Sequence, residues 1–403
     1  MKKLFTPLTN GSVTSAQGFY ASGIASGIKK DKAKDIALIL SEIPAEVAAT
    51  FTTNQVKAAP VRVSMQHAKN GRILGIIANA GNANACTGLV GLKNAMQMTE
   101  ALAQELNAKA KEFLVCSTGR IGINLPMTKV LTGIKKAVKA LKPEGGLDAA
   151  LAIMTSDSKH KAYAIEFEID GKKVRVGGIA KGAGMIHPNM ATMLAFLTTD
   201  AAIDKKSLQR VTEDAVEMTF NRISIDGDTS TNDTVIVMAN GKAGNTPIRA
   251  QHPSRELFRT AVTHVMKTLS RMIVEDGEGI SKVVELSVKG AASARDAKAA
   301  AQSIATSALV KCSWCGGDPN WGRIMDAIGY SNAKVKEELV EIYFDGLLAV
   351  SNGRATKIPV KRLKKVMAKR NFTITVQLHL GAGEYSILTT DFTEKYVEFN
   401  KGE

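Results

Sequence analysis

Lys181-Gly-Ala-Gly-Met-Ile-His-Pro-Asn-Met-Ala-Thr-Met-Leu-Ala-Phe196 is the stretch on which the reading of this chain turns. A glycine-rich loop with one lysine runs into an apolar, strand-like segment from Met193 to Leu197. Glycines let a backbone take positive φ and bring other groups close. At the junction stands Thr192, preceded by the small residue Ala191. A β-branched hydroxyl at the head of a buried strand is held stiffly. Two readings are open. Thr192 is a structural residue at the start of a strand, or it is a nucleophile. In the second, attack by its hydroxyl on the Ala191 carbonyl breaks the chain through an ester. Thr192 then becomes a new N-terminus carrying hydroxyl and α-amine on one residue. A free α-amine has a pKa of about 7.7–8.0, so near neutral pH it can accept the hydroxyl proton without a histidine. His187 is accordingly read as structural.

Working outward, apolar runs and helical periods alternate. Ile73 to Ala80 reads as a buried strand ending in a Gly/Asn loop, Leu89 to Lys111 as a helix, and Phe113 to Cys116 as a short strand before the loop Ser117 to Gly122. Ala162–Ile169 and Val174–Ile179 flank Asp170-Gly171, a hairpin signature, and Val340–Phe344 runs into a second, Asp345-Gly346. Ser254 to Glu275 carries apolar residues at the period of an amphipathic helix. Phe372–Leu380 and Tyr385–Thr389 read as strands around Gly381-Ala-Gly383. Mixed order with hairpins predicts an α+β fold, helices packed on largely antiparallel sheets.

The 403 residues are 45% hydrophobic and 23% charged, ordinary for a globular chain. No run approaches the roughly 18 apolar residues of a membrane span. The start has the charges of a signal peptide but no apolar core, since Thr6, Pro7, Thr9 and Asn10 interrupt it. The expectation is a cytoplasmic protein with no membrane partner. Four cysteines do not make a disulfide framework in a chain this long. Cys312-Ser-Trp-Cys315 has C-x-x-C spacing, yet a structural zinc would need two further ligands and no second such pair exists. The net charge of +15 attracts anions or is a spread surface trait. With no recognition motif and only 5% aromatics, nucleic acid is not expected as a partner. No phosphate-binding G-x-x-x-x-G-K-[ST] loop occurs. Asp226-x-Asp228-x-Ser230 starts like a calcium loop but has Thr231 and Val237 where glycine and glutamate belong.

The chain resembles the ornithine acetyltransferase family, the glutamate N-acetyltransferases and amino-acid acetyltransferases of arginine biosynthesis. The segment around Ala191-Thr192 is similar to the family's cleavage motif, and the likeness covers nearly the whole chain. It is carried by Gly11-Ser-Val-Thr14, Gly18-Phe19, Gly27-Ile-Lys29, Phe51-Thr-Thr-Asn54, Ala58-Ala-Pro-Val61 and Asn79-Ala-Gly-Asn-Ala-Asn-Ala-Cys-Thr-Gly88. Cys116-Ser-Thr-Gly119, Asp226-Gly-Asp-Thr-Ser-Thr-Asn-Asp233, Asp276-Gly-Glu-Gly279 and Asp318-Pro-Asn-Trp-Gly-Arg323 continue it in order.

The resemblance implies a layered sandwich of sheets and helices and self-cleavage at Ala191–Thr192. The products are an α chain of residues 1–191 and a β chain of 192–403 that share one core, so the cleaved bond is no domain boundary. It implies that Thr192 takes the acetyl group of N-acetylornithine and passes it to glutamate in a ping-pong reaction. Thr118 and Gly119 would form the oxyanion site, Lys181 would pair with a carboxylate, Glu278 would face an ammonium, and Thr155 and Asn400 would add neutral hydrogen bonds. No cofactor is implied. Some members also use acetyl-CoA as the acetyl donor, and two α and two β chains assemble. An amidase or aminopeptidase with the same N-terminal nucleophile, and a non-enzymatic anion or nucleic-acid binder that keeps the fold, are the alternatives. The family ends in Asn-Ala-x-Tyr-x-Thr/Ser, whose last hydroxyl binds substrate. Here Asn400-Lys-Gly-Glu403 stands in its place, leaving that side of the substrate pattern incomplete.

Overall fold

The computed structural model of the chain describes residues 4–187 and 193–401. They form two compact units. The first takes the residues up to Gly182, those from 193 to Asn221, and Thr229–Ile273; the second takes 183–187, Arg222–Asp228 and Val274 onward.

A mixed sheet is the frame of the first unit. Its strands run in the order Thr6–Pro7, Lys161–Ile169, Lys172–Lys181, Leu194–Thr199, Thr234–Ala239, Ile36–Phe51, Arg72–Asn82 and Phe113–Arg120, with Phe19–Ile24 added alongside Ile36–Phe51. Pairing is antiparallel except between Arg72–Asn82 and Phe113–Arg120 and between Leu194–Thr199 and Thr234–Ala239. Successive side chains of a strand point to opposite faces, and here both faces are apolar. Ile36, Leu38, Ile77, Phe113 and Val115 pack with Val63, Met98, Leu102, Val130 and Ile134 of the helices Ala59–Ala68, Gly88–Leu106 and Met127–Lys139. Ala37, Ile39, Ile76, Ala78, Leu114, Phe196 and Ile236 face the other way, with Ala149 and Ala152 of the helix Gly146–Ala152. The apolar stripe read in Ser254–Glu275 is the buried side of the helix Arg255–Glu275, through Phe258, Val262, Val265, Met266 and Leu269.

The second unit holds a six-stranded sheet in the order Arg354–Ala355, Leu347–Ser351, Glu341–Phe344, Asn371–Gln377, Val283–Ala291 and Gly383–Thr390. Helices Ala294–Thr306, Trp321–Gly329 and Val360–Met367 pack on it around the buried Trp314. The strands either side of Gly381–Gly383 do not pair with each other. Val283–Ala291 lies between them, parallel to Asn371–Gln377 and antiparallel to Gly383–Thr390.

The fold is α+β, with largely antiparallel sheets covered by helices, as expected. Both hairpins form, and Asp170 and Gly171 take the paired positive φ of 53° and 70° that the turn needs. Several boundaries differ; the strand expected to Leu380, for one, ends at Gln377, and two differences have a clear local cause. The helix expected to Lys111 ends at Leu106, because Asn107 turns left-handed at φ 51° and takes hydrogen bonds to Ala103 and Gln104. The strand expected to stop at Cys116 continues to Arg120, paired to Ala80 and Gly81, so Thr118 and Gly119 belong to a sheet and not to a loop.

Leu38→Ala, in the fully buried helix-covered layer, is expected to cost about 2–5 kcal/mol in urea unfolding, while Glu168→Ala on an exposed strand position costs under about 0.5 kcal/mol. Equal losses would contradict this assignment of faces.

Candidate active site

In the first unit the candidate residues sit where strands end. Lys181 closes its strand opposite Leu194, and Leu194 lies opposite Thr234. The chain therefore enters the middle of the sheet directly after position 192. Ala191 and Thr192 themselves lie outside the described residues. Lys181 is 3% exposed. Its charge acts on Asp157, Asp233 and Lys29.

Asp157 ties this end together. Its carboxylate accepts the Lys161 ammonium at 2.6 Å, the Gly182 N–H at 2.7 Å and the Thr155 N–H at 2.9 Å. Burial works against its ionisation, but the Lys181 and Lys161 charges and the Gly182 N–H outweigh it and hold the carboxyl at about 2. Thr155 and Lys181 are thus brought to one carboxylate, and Thr155 lies in this turn as an exposed residue, not as a helix cap. Lys29 is half-buried nearby; burial, helped by the Lys181 charge, lowers its ammonium to about 8.

Thr118 and Gly119 lie on Phe113–Arg120. Thr118 is buried and Gly119 exposed. At Gly119 φ is 129°, and a Cβ there would meet the Gly81 carbonyl carbon at 2.4 Å and the Asn82 nitrogen at 2.5 Å, so only glycine fits. Asparagines brace this strand end. Ser117 Oγ donates to Asn79 Oδ1 at 2.6 Å, Asn79 Nδ2 donates to Asn82 O at 2.8 Å, and Asn82 Nδ2 donates to Ile123 O at 3.0 Å. The Asn79–Asn84 motif is therefore a set of backbone partners. From the neighbouring segment, Asn232 Nδ2 donates to Ala83 O at 2.7 Å and to Ser117 O at 2.8 Å. Next to it, Asp233 Oδ1 accepts the Met193 N–H at 2.9 Å.

Glu278 and Asn400 meet in the second unit, where Asn400 Nδ2 donates to Glu278 Oε2 at 3.1 Å. The last helix, Glu394–Asn400, is delivered there by Thr393, which donates to Gly279 O at 2.7 Å and accepts from the Tyr396 N–H. The Glu278 carboxylate lies against Gly184, where an added Cβ would come within 2.3 Å of it. Asp226 accepts the N–H groups of Met185 at 2.5 Å and Ile186 at 2.8 Å, and the Tyr396 hydroxyl at 3.2 Å. Burial raises the Asp226 carboxyl above its ordinary range against those hydrogen bonds. His187 is half-buried, burial lowers its imidazole, and its Nδ1 has no partner among the described residues. Cys312 and Cys315 are exposed free thiols, and Cys116 is a buried one. Among the described residues no group of three or more His, Cys, Asp or Glu side chains is placed to hold a metal, and no helix is long and apolar enough to cross a membrane.

The ArgJ family model matches residues 20–402. The chain belongs to the ArgJ family. It is 45% identical over 397 residues to the arginine biosynthesis bifunctional protein ArgJ of Caldanaerobacter subterraneus subsp. tengcongensis, covering 98% of both chains. It is 46% identical over 385 residues to the protein of that name from Geobacter sulfurreducens, covering 95% of this chain and 98% of the relative. Among solved structures it is similar to ornithine acetyltransferase of Mycobacterium tuberculosis complexed with ornithine, at 43% identity over 46% of this chain and 98% of that chain, with a TM-score of 0.43. The family assignment agrees with the resemblance read from the motifs.

Asp157, Asn232 and Asp233 were not legible as site residues. Asp157 has no spacing signature, and the Asp226–Asp233 block invites comparison with a calcium loop. What marks it in the structure is that Ser230, Thr231, Asn232 and Asp233 are all buried polar residues.

A carboxyl held below its free value adds stability that is full above the free value and is lost as pH falls through the folded one. Asp157→Asn is therefore expected to destabilise the protein at neutral pH, with the gap to the parent narrowing as pH falls from 3.8 to about 2. A gap that stayed constant in chemical unfolding across that range would contradict the ionised pairing.

Proposed function

We propose that this chain is an acetyltransferase of arginine biosynthesis that moves an acetyl group from N-acetylornithine to glutamate through an acetyl-Thr192 intermediate. Family membership over nearly the full chain supports the activity. The observation that carries the mechanism is the position of Met193. Its N–H is fixed by a buried carboxyl just before a central strand, and it is the residue that follows Thr192 in the sequence.

The chemistry starts with the chain itself. The Thr192 hydroxyl oxygen adds to the Ala191 carbonyl carbon, the peptide C–N bond breaks, and the hydroxyl proton ends on the Thr192 nitrogen. Water then hydrolyses the ester, leaving the Ala191 carboxylate in an α chain of 1–191 and a free hydroxyl at the head of a β chain of 192–403. In turnover the Thr192 α-amine takes the hydroxyl proton as the oxygen attacks the acetyl carbonyl of N-acetylornithine. Thr118 and the Gly119 N–H stabilise the tetrahedral oxygen. The α-amine returns its proton to the leaving nitrogen, ornithine departs, and the glutamate amine then takes the acetyl group by the reverse steps.

Lys181 binds a substrate carboxylate, with Thr155 beside it, while Glu278 and Asn400 handle an ammonium and its surroundings. Acetyl-CoA is a second acetyl donor in this reading, two α and two β chains assemble, and the enzyme works in the cytoplasm.

Two results are expected. Thr192→Ala should give one uncleaved, inactive chain by mass under denaturing conditions; finding two chains would remove Thr192 as the nucleophile. Lys181→Met should cleave normally yet raise KM for N-acetylornithine by about 10-fold or more, the worth of a hydrogen bond to a charged group. Ornithine release from N-acetylornithine at a rate indifferent to glutamate would make the enzyme a hydrolase instead.

A further inference from the structure

Asn232 and Asp233 close the Asp226–Asp233 motif, and the substrate chemistry above leaves both unused. Asn232 is 5% exposed and Asp233 fully buried. Their own backbone is fixed. Thr52 Oγ1 donates to Ser230 O at 2.7 Å, the Thr52 N–H donates to Asp233 O at 2.9 Å, and the Asn232 N–H donates to Ser230 Oγ at 3.0 Å. From that anchored segment the two side chains reach two different parts of the first unit. Asn232 holds the carbonyl of Ser117, the residue before Thr118, together with the carbonyl of Ala83. Asp233 holds the N–H of Met193, the residue after Thr192.

A buried polar side chain is costly unless it is hydrogen-bonded, and a buried carboxyl costs more than an apolar residue of its size. Asp233 bears such a cost. Its Oδ2 has no hydrogen-bond partner among the described residues, and burial pushes its carboxyl well above the ordinary range, with the Met193 N–H and the Lys181 charge opposing. An asparagine amide offers the same acceptor oxygen to the Met193 N–H with no buried charge.

We propose that Asn232 and Asp233 are a pair of positioning residues that lock the strand of Thr118 and the residue following Thr192 to one rigid segment. The pair serves both self-cleavage and acetyl transfer. This rests on the reading of Thr192 as nucleophile. Misplacing reacting groups by about 1 Å costs up to about 100-fold in rate, so removal of either side chain acts on rate and not on substrate affinity.

The experiment follows cleavage by intact mass, after expression and during incubation, together with thermal unfolding. Asp233→Ala and Asn232→Ala are expected to slow cleavage at least ~10-fold, and Asp233→Asn to restore it to near the parent rate. In the cleaved fraction of Asn232→Ala, kcat for acetyl transfer should fall while KM stays within about twofold, as expected of an interaction made in the transition state. Thr198→Ala is the control. It removes a buried hydrogen bond from Thr198 Oγ1 to Val13 O of 2.6 Å in the same sheet, and should lower stability without slowing cleavage. If Asp233→Ala does not fold, Asn232→Ala carries the comparison. Parent-like cleavage in both alanine variants, or slowing by Thr198→Ala in proportion to its loss of stability, overturns the pair's role while the parent is still cleaved. A parent chain that is never cleaved removes the Thr192 reading and the pair's role together.

Discussion

Backbone groups at the ends of buried strands must find partners, and that requirement organises this protein. A strand that stops inside a core leaves N–H and C=O groups with neither a ladder nor water to satisfy them. Here short polar side chains do so. Asp35 accepts four successive N–H groups, from Ser26 to Lys29. Asp157 takes those of Gly182 and Thr155, and Asp233 that of Met193. Asn232 covers the carbonyls of Ala83 and Ser117. In the second unit Asp226 takes Met185 and Ile186, and Asp391 takes Ser281 and Lys282.

The same requirement produces the site. Satisfying strand ends with carboxyls concentrates negative charge in the interior, and buried lysines answer it. Lys161 and Lys181 keep Asp157 ionised. Lys181 also opposes the raised carboxyl of Asp233, which burial holds well above the usual range. The result is a first unit with one carboxyl held low at one strand end and another pushed up at a second, with a lysine acting on both. A cation held in low dielectric attracts a carboxylate strongly, which is what the role proposed for Lys181 draws on. Lys311 shows the cost of burying a lysine in the second unit. Burial brings its ammonium down to about 7 despite Asp226 and Asp391.

Local patterns in the sequence carried most of the fold. Apolar runs marked the central strands, Asp-Gly pairs marked both hairpins, and the stripe of Ser254–Glu275 marked a buried helix. What escaped was set by contacts distant in sequence. Strand Phe113–Arg120 runs past Cys116 because Ala80 and Gly81 extend the pairing, and nothing in Ser-Thr-Gly-Arg states that. The helix after Gly88 stops at Asn107 because one residue adopts a left-handed conformation. Among the candidate residues, Lys181 was visible as the lysine of a glycine-rich loop, but its role, like those of Glu278, Asn400, Thr118 and Thr155, came only from likeness to a family. Asn232 and Asp233 were invisible because their partners, Ser117 and Met193, are far off along the chain.

The central claim is that Thr192 carries the acetyl group. The measurement that tests it most directly is mass analysis of the protein after incubation with N-acetylornithine and no glutamate, rapidly quenched and digested. The account requires a single acetyl addition on the peptide that begins at Thr192, lost when glutamate is added before quenching. An acetyl group on any other residue, or none on an enzyme that still transfers it, would contradict the account.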